Sequence, residues 1–211
     1  KKLTLKNRKL LKEKNLKKLE DCDYDNEEDR IKIFKKCYTI TKEHKLQIKE
    51  MLDLFGIPFF ESSTEADVLC AQLVKENKAY AVSSEDMDIL TFGSPILIRG
   101  LSQKKSTKEI NLMKVLKDFN MSTDEFIDLC ILLGCDYLPT IPRIGPKRAF
   151  DLIKYYGSIE NFLENESSKY NIPEDFNYIE VRNYFKKEED IKNVGEIKLK
   201  LPKYNQIKDL M

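Results

Sequence analysis

The stretch SSTEADVLCAQLVKENKAYAVSSEDMDILTFGSPILIR, residues 62–99, decides the fold. Within it Ala66, Leu69, Cys70, Leu73 and Val74 recur at helical spacing, and Ser62 and Glu65 stand three apart as in a capping box, which predicts a helix. Ala79 to Val82 then reads as a buried strand. A polar turn carries Asp86 and Asp88, and Ile96 to Arg99 reads as the next strand. With a short strand expected at Ile57 to Phe60, the order strand, helix, strand implies an α/β unit, in which sites gather beyond the carboxyl ends of strands. Asp86 falls at such an end.

Working outward, Lys1 to Glu20 suggests a helix without a full core face, and the acidic run Asp21 to Asp29 suggests a hinge. Ile31, Phe34, Tyr38, Ile48, Leu52 and Phe55 predict one long helix from about Glu27, ended by Gly56 and Pro58. After Gly100 the character becomes helical. Asn111 caps a helix to about Phe119; Ser122 and Glu125 form a capping box for a helix through Phe126, Leu129, Cys130 and Leu133, stopped by Gly134. Pro142 and Gly145-Pro146 mark a tight turn, Pro146 opens the next helix and Gly157 closes it. A helix near Tyr178 to Phe185, a strand at Ile197 to Leu201 and a short terminal helix complete the prediction.

The 37 Lys and Arg nearly cancel the 36 Asp and Glu, so the distribution of charge matters more than its sum. Lys1, Lys2, Lys6, Arg8, Lys9, Lys12, Lys14, Lys17 and Lys18 crowd one end, which suits a polyanion. Five cysteines without CxxC spacing argue against a disulfide framework or a structural zinc, and for a reducing compartment. No apolar run approaches a membrane span, so no membrane partner is expected. The chain begins at Lys1, which suggests a piece of something longer.

The acids carry the chemistry. Glu65 and Asp67 lie at a helix start, Asp86 and Asp88 in a segment leaving a strand, and Asp136 follows an apolar helix. Two like charges ~5 Å apart repel by roughly 3 kcal/mol at an effective dielectric of ~20, so a cation is expected to offset them. Oxygen donors without matching His or Cys point to magnesium or manganese. Extended geometry places Asp86 and Asp88 on one side. Taken alone, the acids read more readily as helix-terminus or turn carboxylates. The hairpin Ile141-Pro142-Arg143-Ile144-Gly145-Pro146-Lys147-Arg148 adds a phosphate grip, with helix N–H groups, Lys147 and Arg148 beside it. A plain helix-turn-helix connection with solvated basic residues is the alternative.

Together Phe55-Gly56-Ile57-Pro58, Ser63-Thr64-Glu65-Ala66-Asp67, Ser84-Glu85-Asp86-Met87-Asp88-Ile89-Leu90-Thr91-Phe92-Gly93, Asp128-Leu129-Cys130-Ile131-Leu132-Leu133-Gly134-Cys135-Asp136-Tyr137 and Ile144-Gly145-Pro146-Lys147-Arg148-Ala149 closely resemble the flap endonuclease family of the XPG-type structure-specific 5′ nuclease superfamily. The resemblance implies a mixed central sheet flanked by helices (a PIN-like 5′ nuclease fold), with an N-terminal helical arch and a helix-hairpin-helix DNA-binding element. It divides the chain into an arch (1–49), an α/β nuclease core (50–120), a helix-two-turn-helix element (121–157) and C-terminal helices and strand (158–211). The implied activity is cleavage of 5′ flaps, with 5′ exonuclease action, in branched DNA during replication and repair, at the nucleus or another intracellular site of replication.

Glu65, Asp67, Asp86, Asp88 and Asp136 fall on the family's ligands for two Mg²⁺ or Mn²⁺ ions. Lys1 and Arg8 fall on its catalytic arch pair, and Gly145, Lys147 and Arg148 on its DNA-binding hairpin. Thr140, Ile141 and Ile144 fall on backbone carbonyls that hold a potassium ion. Asp67 stands where the family has Glu, and Pro142-Arg143 where it has Arg-Gly, removing one hairpin glycine. The family's N-terminal segment, with two further metal-binding aspartates, is expected to be missing. No sliding-clamp motif follows Leu210. The alternatives are an exonuclease 1-like or junction-resolving member of the superfamily, and a non-catalytic DNA-binding fragment.

Overall fold

The computed structural model describes residues 2–21, 27–101, 106–191, 194–195 and 197–210, with the backbone alone at 2–8, 20–21, 28–30 and 209–210. The chain divides into two compact units, a first made of 1–59 with 197–211 and a second of 60–196. In chain order the elements are α1 (Lys2–Asp21), α2 (Glu27–Cys37), α3 (Lys42–Leu54), α4 (Ala66–Lys75), β1 (Val82–Ser83), α5 (Asp88–Thr91), β2 (Ile96–Arg99), β3 (Lys108–Asn111), α6 (Leu112–Phe119), α7 (Thr123–Leu133), α8 (Pro146–Tyr156), α9 (Ile159–Glu166), α10 (Tyr178–Phe185) and α11 (Tyr204–Leu210). A single 3₁₀ turn, Ser167–Lys169, follows α9.

In the first unit α1 packs on α2 and α3 on α11. Leu10 and Leu11 stay exposed, as the weak periodicity of the basic segment led one to expect, and so do Ile31 and Phe34, although they lie on the predicted apolar stripe of the next helix. The predicted single helix from Glu27 to Phe55 is two helices. Thr41 is extended (φ −86°, ψ 171°) and starts α3 with a reciprocal cap, its hydroxyl accepting the His44 N–H while its own N–H donates to His44 Nδ1. The run Thr39-Ile40-Thr41 is β-branched and stiff, which favours the break there. The strands predicted at Ile57–Phe60 and Ile197–Leu201 are irregular chain. Gly56, at φ +70°, accepts the Lys200 N–H at 2.8 Å, and a Cβ on it would lie 2.2 Å from the Lys200 carbonyl oxygen. With the Lys203 N–H donating to the Leu54 carbonyl at 2.8 Å, this is a close approach of two backbones and no ladder.

The second unit holds the sheet, ordered β1-β2-β3. β1 runs parallel to β2 with Val82 opposite Leu97, and β2 runs antiparallel to β3 with Leu97 opposite Ile110. The mixed α/β fold is as expected, although β3 was not foreseen. The strand predicted at Ala79–Val82 shrinks to Val82–Ser83. The N–H groups of Lys78 and Ala79 both return to the Leu73 carbonyl, and Asn77 turns left-handed at φ +55°, so these residues finish α4 instead.

Val74, Val82, Ile89, Leu90, Leu97, Leu112, Leu116 and Phe126 pack around the sheet. A larger cluster, including Val68, Phe92, Ile131, Leu132, Ile153, Ile159, Phe162 and Phe185, joins α4 and α5 to the helices that follow the sheet. A fully buried Phe or Ile contributes about 1.5–3 kcal/mol, so this helical cluster supplies most of the driving force. The helix boundaries from 111 to 157 agree with the sequence. Asn111 caps α6, Ser122 and Glu125 make the full capping box of α7, Gly134 ends α7, Pro146 opens α8, and Gly157 closes it at φ +75°. Among the described residues no helix is long and apolar enough to cross a membrane.

Candidate metal centre and nucleic-acid interface

Glu65 ends an extended loop (φ −95°, ψ 139°) and is itself the residue before α4, so the predicted Ser62/Glu65 capping box does not form. The helix starts three residues later than that box requires. Its side chain makes no cap; Glu65 Oε2 instead accepts the Tyr137 hydroxyl at 2.6 Å. Tyr137 is set by its packing on Tyr184, centroid to centroid 4.8 Å, and edge-on to Phe185 at 5.5 Å. Asp67 occupies the first turn of α4.

Asp86 and Asp88 are not in extended chain. Met87 is helical (φ −79°, ψ −17°) and Asp88 opens α5, with the Asp88 N–H donating to Asp86 Oδ1 at 2.9 Å and the Asp86 N–H donating to Ser84 Oγ at 3.0 Å. A side-chain-stabilised turn, not the pleat, sets this pair. Asp88 lines a hollow of about 420 Å³ with Met87, Leu90, Leu129 and Cys130. Burial first, then the charges of Asp86, Asp136 and Asp67, push its carboxyl up to about 6. Four carboxylates from three parts of the sequence therefore share one field, while Glu65 joins through Tyr137.

The donor chemistry fits a hard divalent ion. The nearby thiols are poor competitors, because burial pushes Cys130 up to about 12 despite a hydrogen bond from Thr91, and burial raises Cys135 as well. Among the described residues no three His, Cys, Asp or Glu side chains form a group that could hold a metal ion. The acids are gathered and not closed.

The hairpin between α7 and α8 is anchored by buried Ile141 and Ile144, while Pro142, Arg143, Gly145, Pro146, Lys147 and Arg148 are exposed. The Ile144 N–H donates to the Ile141 carbonyl at 3.2 Å, and Arg143 sits at φ +72°. With Pro142 ahead of it this is the pattern of a type II turn, in which proline presets the first corner and the second must be left-handed. Thr140 is exposed, and its methyl would lie 2.8 Å from a Cβ on Gly134. Gly145 has nothing within 4 Å of a Cβ and no positive φ, so the fold itself does not require glycine there. α8 begins without a side-chain cap.

Arg148 is already engaged, its Nε donating to Tyr170 at 2.7 Å and a terminal nitrogen to Glu166 at 3.1 Å. Lys147 is exposed beside it. Of the arch residues, Lys1 lies outside the described residues, and Arg8 is placed in α1 by its backbone alone.

Sequence reasoning overlooked a second constellation. Asp128 on α7, 2% exposed, receives a fork of two bonds from Arg182 on α10, each 2.7 Å, and the Ile159 N–H at the start of α9 at 3.0 Å. Arg182 forks again to Glu160 at 2.6 and 2.8 Å. Asp128 lies on a run of otherwise apolar residues, which was the available signal. Tyr137 follows Asp136 directly and was quoted without a role.

The XPG I-region family model matches residues 56–136. Flap endonuclease 1 of Brugia malayi is 49% identical over 173 residues, covering 80% of this chain and 46% of that protein. The chain spans about half the length of the curated relatives it matches. The solved flap endonuclease-1 from Methanococcus jannaschii superposes with a TM-score of 0.71 at 30% identity, over 90% of this chain and 58% of that one. The catalytic core of Rad2 in complex with DNA substrate superposes with a TM-score of 0.73 over 82% of this chain and 63% of its own; at 22% identity that likeness speaks to the fold alone.

Proposed function

Because the chain belongs to the flap endonuclease family of the XPG-type 5′ nuclease superfamily, we propose that it serves a nuclease that hydrolyses phosphodiester bonds in branched DNA, cutting 5′ flaps and acting as a 5′ exonuclease. The observation that carries this reading is the gathering of Asp67, Asp86 and Asp136 about Asp88, whose carboxyl is raised by burial first and then by their charges, a field that calls for a cation. Glu65, Asp67, Asp86, Asp88 and Asp136 would hold two Mg²⁺ or Mn²⁺ ions. Bound there, such ions lower the pKa of an attacking water and offset charge on the scissile phosphate and the leaving oxygen.

The chain's own groups do the positioning. Tyr137 orients Glu65, and the Asp86–Asp88 turn aims both acids from the carboxyl end of β1. The open backbone at Gly145 and the uncapped start of α8 suit close approach of a duplex phosphate, with Lys147 adding charge. Arg148 supports the hairpin from behind through Tyr170 and Glu166. The carbonyls of Thr140, Ile141 and Ile144 would hold a potassium ion, that of Ile141 while also accepting the Ile144 N–H. Lys1 and Arg8 would steer the flap strand. Such contacts grip backbone without reading sequence, as a structure-specific enzyme requires. The activity belongs at the nucleus or another intracellular site of DNA replication.

The test is cleavage of a labelled 5′-flap duplex, a nicked duplex and a four-way junction in Mg²⁺ and in chelator. We expect metal-dependent cutting with preference for the flap, reduced at least a hundredfold by Asp86→Ala. Preference for the junction or the nick would move the chain to a sister activity. Salt-sensitive DNA binding without any metal-stimulated cutting would leave a binding fragment.

A further inference from the structure

One side chain remote in sequence contacts the loop that delivers two of the proposed ligands. Glu189, between α10 and the end of the second unit, reaches the three consecutive hydroxyl residues ahead of α4. Its Oε1 accepts the Ser63 N–H and the Ser63 hydroxyl, each at 3.0 Å. Its Oε2 lies 2.9 Å from Ser62 Oγ and 3.3 Å from Thr64 Oγ1. The Ser62 hydroxyl is shared between this carboxylate and the Glu65 carbonyl, 3.0 Å away, and accepts the Thr64 N–H at 3.1 Å. Four donors on three adjacent residues thus converge on one carboxylate, immediately before Glu65. Burial pushes the Glu189 carboxyl up, and the bonds from Ser62, Ser63 and Thr64 outweigh it, holding it below the usual range.

No helix cap holds this loop. The capping box that would have tied Ser62 to Glu65 is absent, and Glu65 makes no cap. The segment carrying Glu189 has anchors of its own: Ile191 is 2% exposed, and Lys78 Nζ donates to the Val194 carbonyl at 2.6 Å. The contact is therefore an anchored carboxylate that gathers three consecutive loop residues.

We propose that Glu189 is a positioning residue of the metal centre: it gathers Ser62, Ser63 and Thr64 and so sets where Glu65 and Asp67 present their carboxylates. The inference rests on the reading of those two acids as metal-holding. Groups that orient ligands from behind typically change metal affinity by about 10–100-fold when removed. Glu189 would act in that way through backbone placement.

The experiment compares the 211-residue chain with its E189A and E189Q variants by amide hydrogen exchange without metal and by Mn²⁺ titration. Exchange at Ser63 and Thr64 should accelerate at least tenfold in E189A, with α7 and α8 unaffected. Mn²⁺ affinity per folded molecule should fall about tenfold or more, with E189Q between the two because its amide oxygen still accepts. If E189A loosens the whole unit, E189Q supplies the comparison. Unchanged exchange overturns the proposal, and so does Mn²⁺ affinity within twofold of the parent. A parent chain that takes up no Mn²⁺ overturns the proposed function and this inference together, and the parent titration alone distinguishes that outcome.

Discussion

Arg143 holds φ +72° at the second corner of the hairpin turn, a conformation that costs a residue with a side chain about 1–2 kcal/mol. Arg143→Gly should therefore stabilise the protein by about 0.5–1 kcal/mol, read from the urea midpoint at unchanged slope. A lower midpoint would show that the arginine side chain contributes more than its backbone loses. Asp88 gives a second prediction. Its carboxyl titrates near 6 in the fold against 3.8 ordinarily, so between those values the folded chain binds more protons than the unfolded one. Stability from this group is fully present below about pH 4 and is lost as pH rises through 6. In chelator, Asp88→Asn should match the parent in urea at pH 4 and exceed it at pH 7; equal midpoints at both pH values would contradict the assigned field. The identities of these acids were legible in the sequence because carboxylates cluster at element ends. Their geometry was not, since the turn that sets Asp86 and Asp88 depends on a side chain accepting a backbone N–H.

At the scale of elements, α7, α9 and α10 are joined by the Asp128–Arg182–Glu160 array. Removing one partner of a buried pair leaves an uncompensated charge, so Arg182→Ala should cost about 3–5 kcal/mol in urea unfolding. Arg182 first, against burial, holds the Glu160 carboxyl down to about 2. Its contribution is present above the usual 4.5 and is lost as pH falls through 2, so acid should weaken the parent over that window and leave Arg182→Ala less affected. Ser122→Ala should cost about 1 kcal/mol by removing the capping box of α7. α6, α7 and α8 could be read from sequence because their stops and starts are local: Asn111, Ser122, Gly134, Pro146 and Gly157 act on their neighbours. β3 could not, since Lys108, Glu109 and Asn111 become a strand only by pairing with β2. The break before α3 was hidden because a histidine stands where a capping box has Glu or Gln.

For the whole molecule, both hydrophobic clusters lie within residues 60–196. A fragment of those residues should unfold cooperatively in urea with native-like helix content; a broad, sloping transition would mean that the first unit supplies essential support. The two strands foreseen at 57–60 and 197–201 fall outside that unit except for Phe60, and their failure to form was invisible locally because two scattered backbone bonds, Lys200 to Gly56 and Lys203 to Leu54, replace a ladder. Chain order gives the Arg182 array a further meaning. As a ribosome delivers the protein from its amino end, Asp128 and Glu160 emerge before the cation that reconciles them. A chain ending short of residue 182 leaves Asp128 and Glu160 without the cation they share, so shortening the message by its final helices should yield a product that quality control removes.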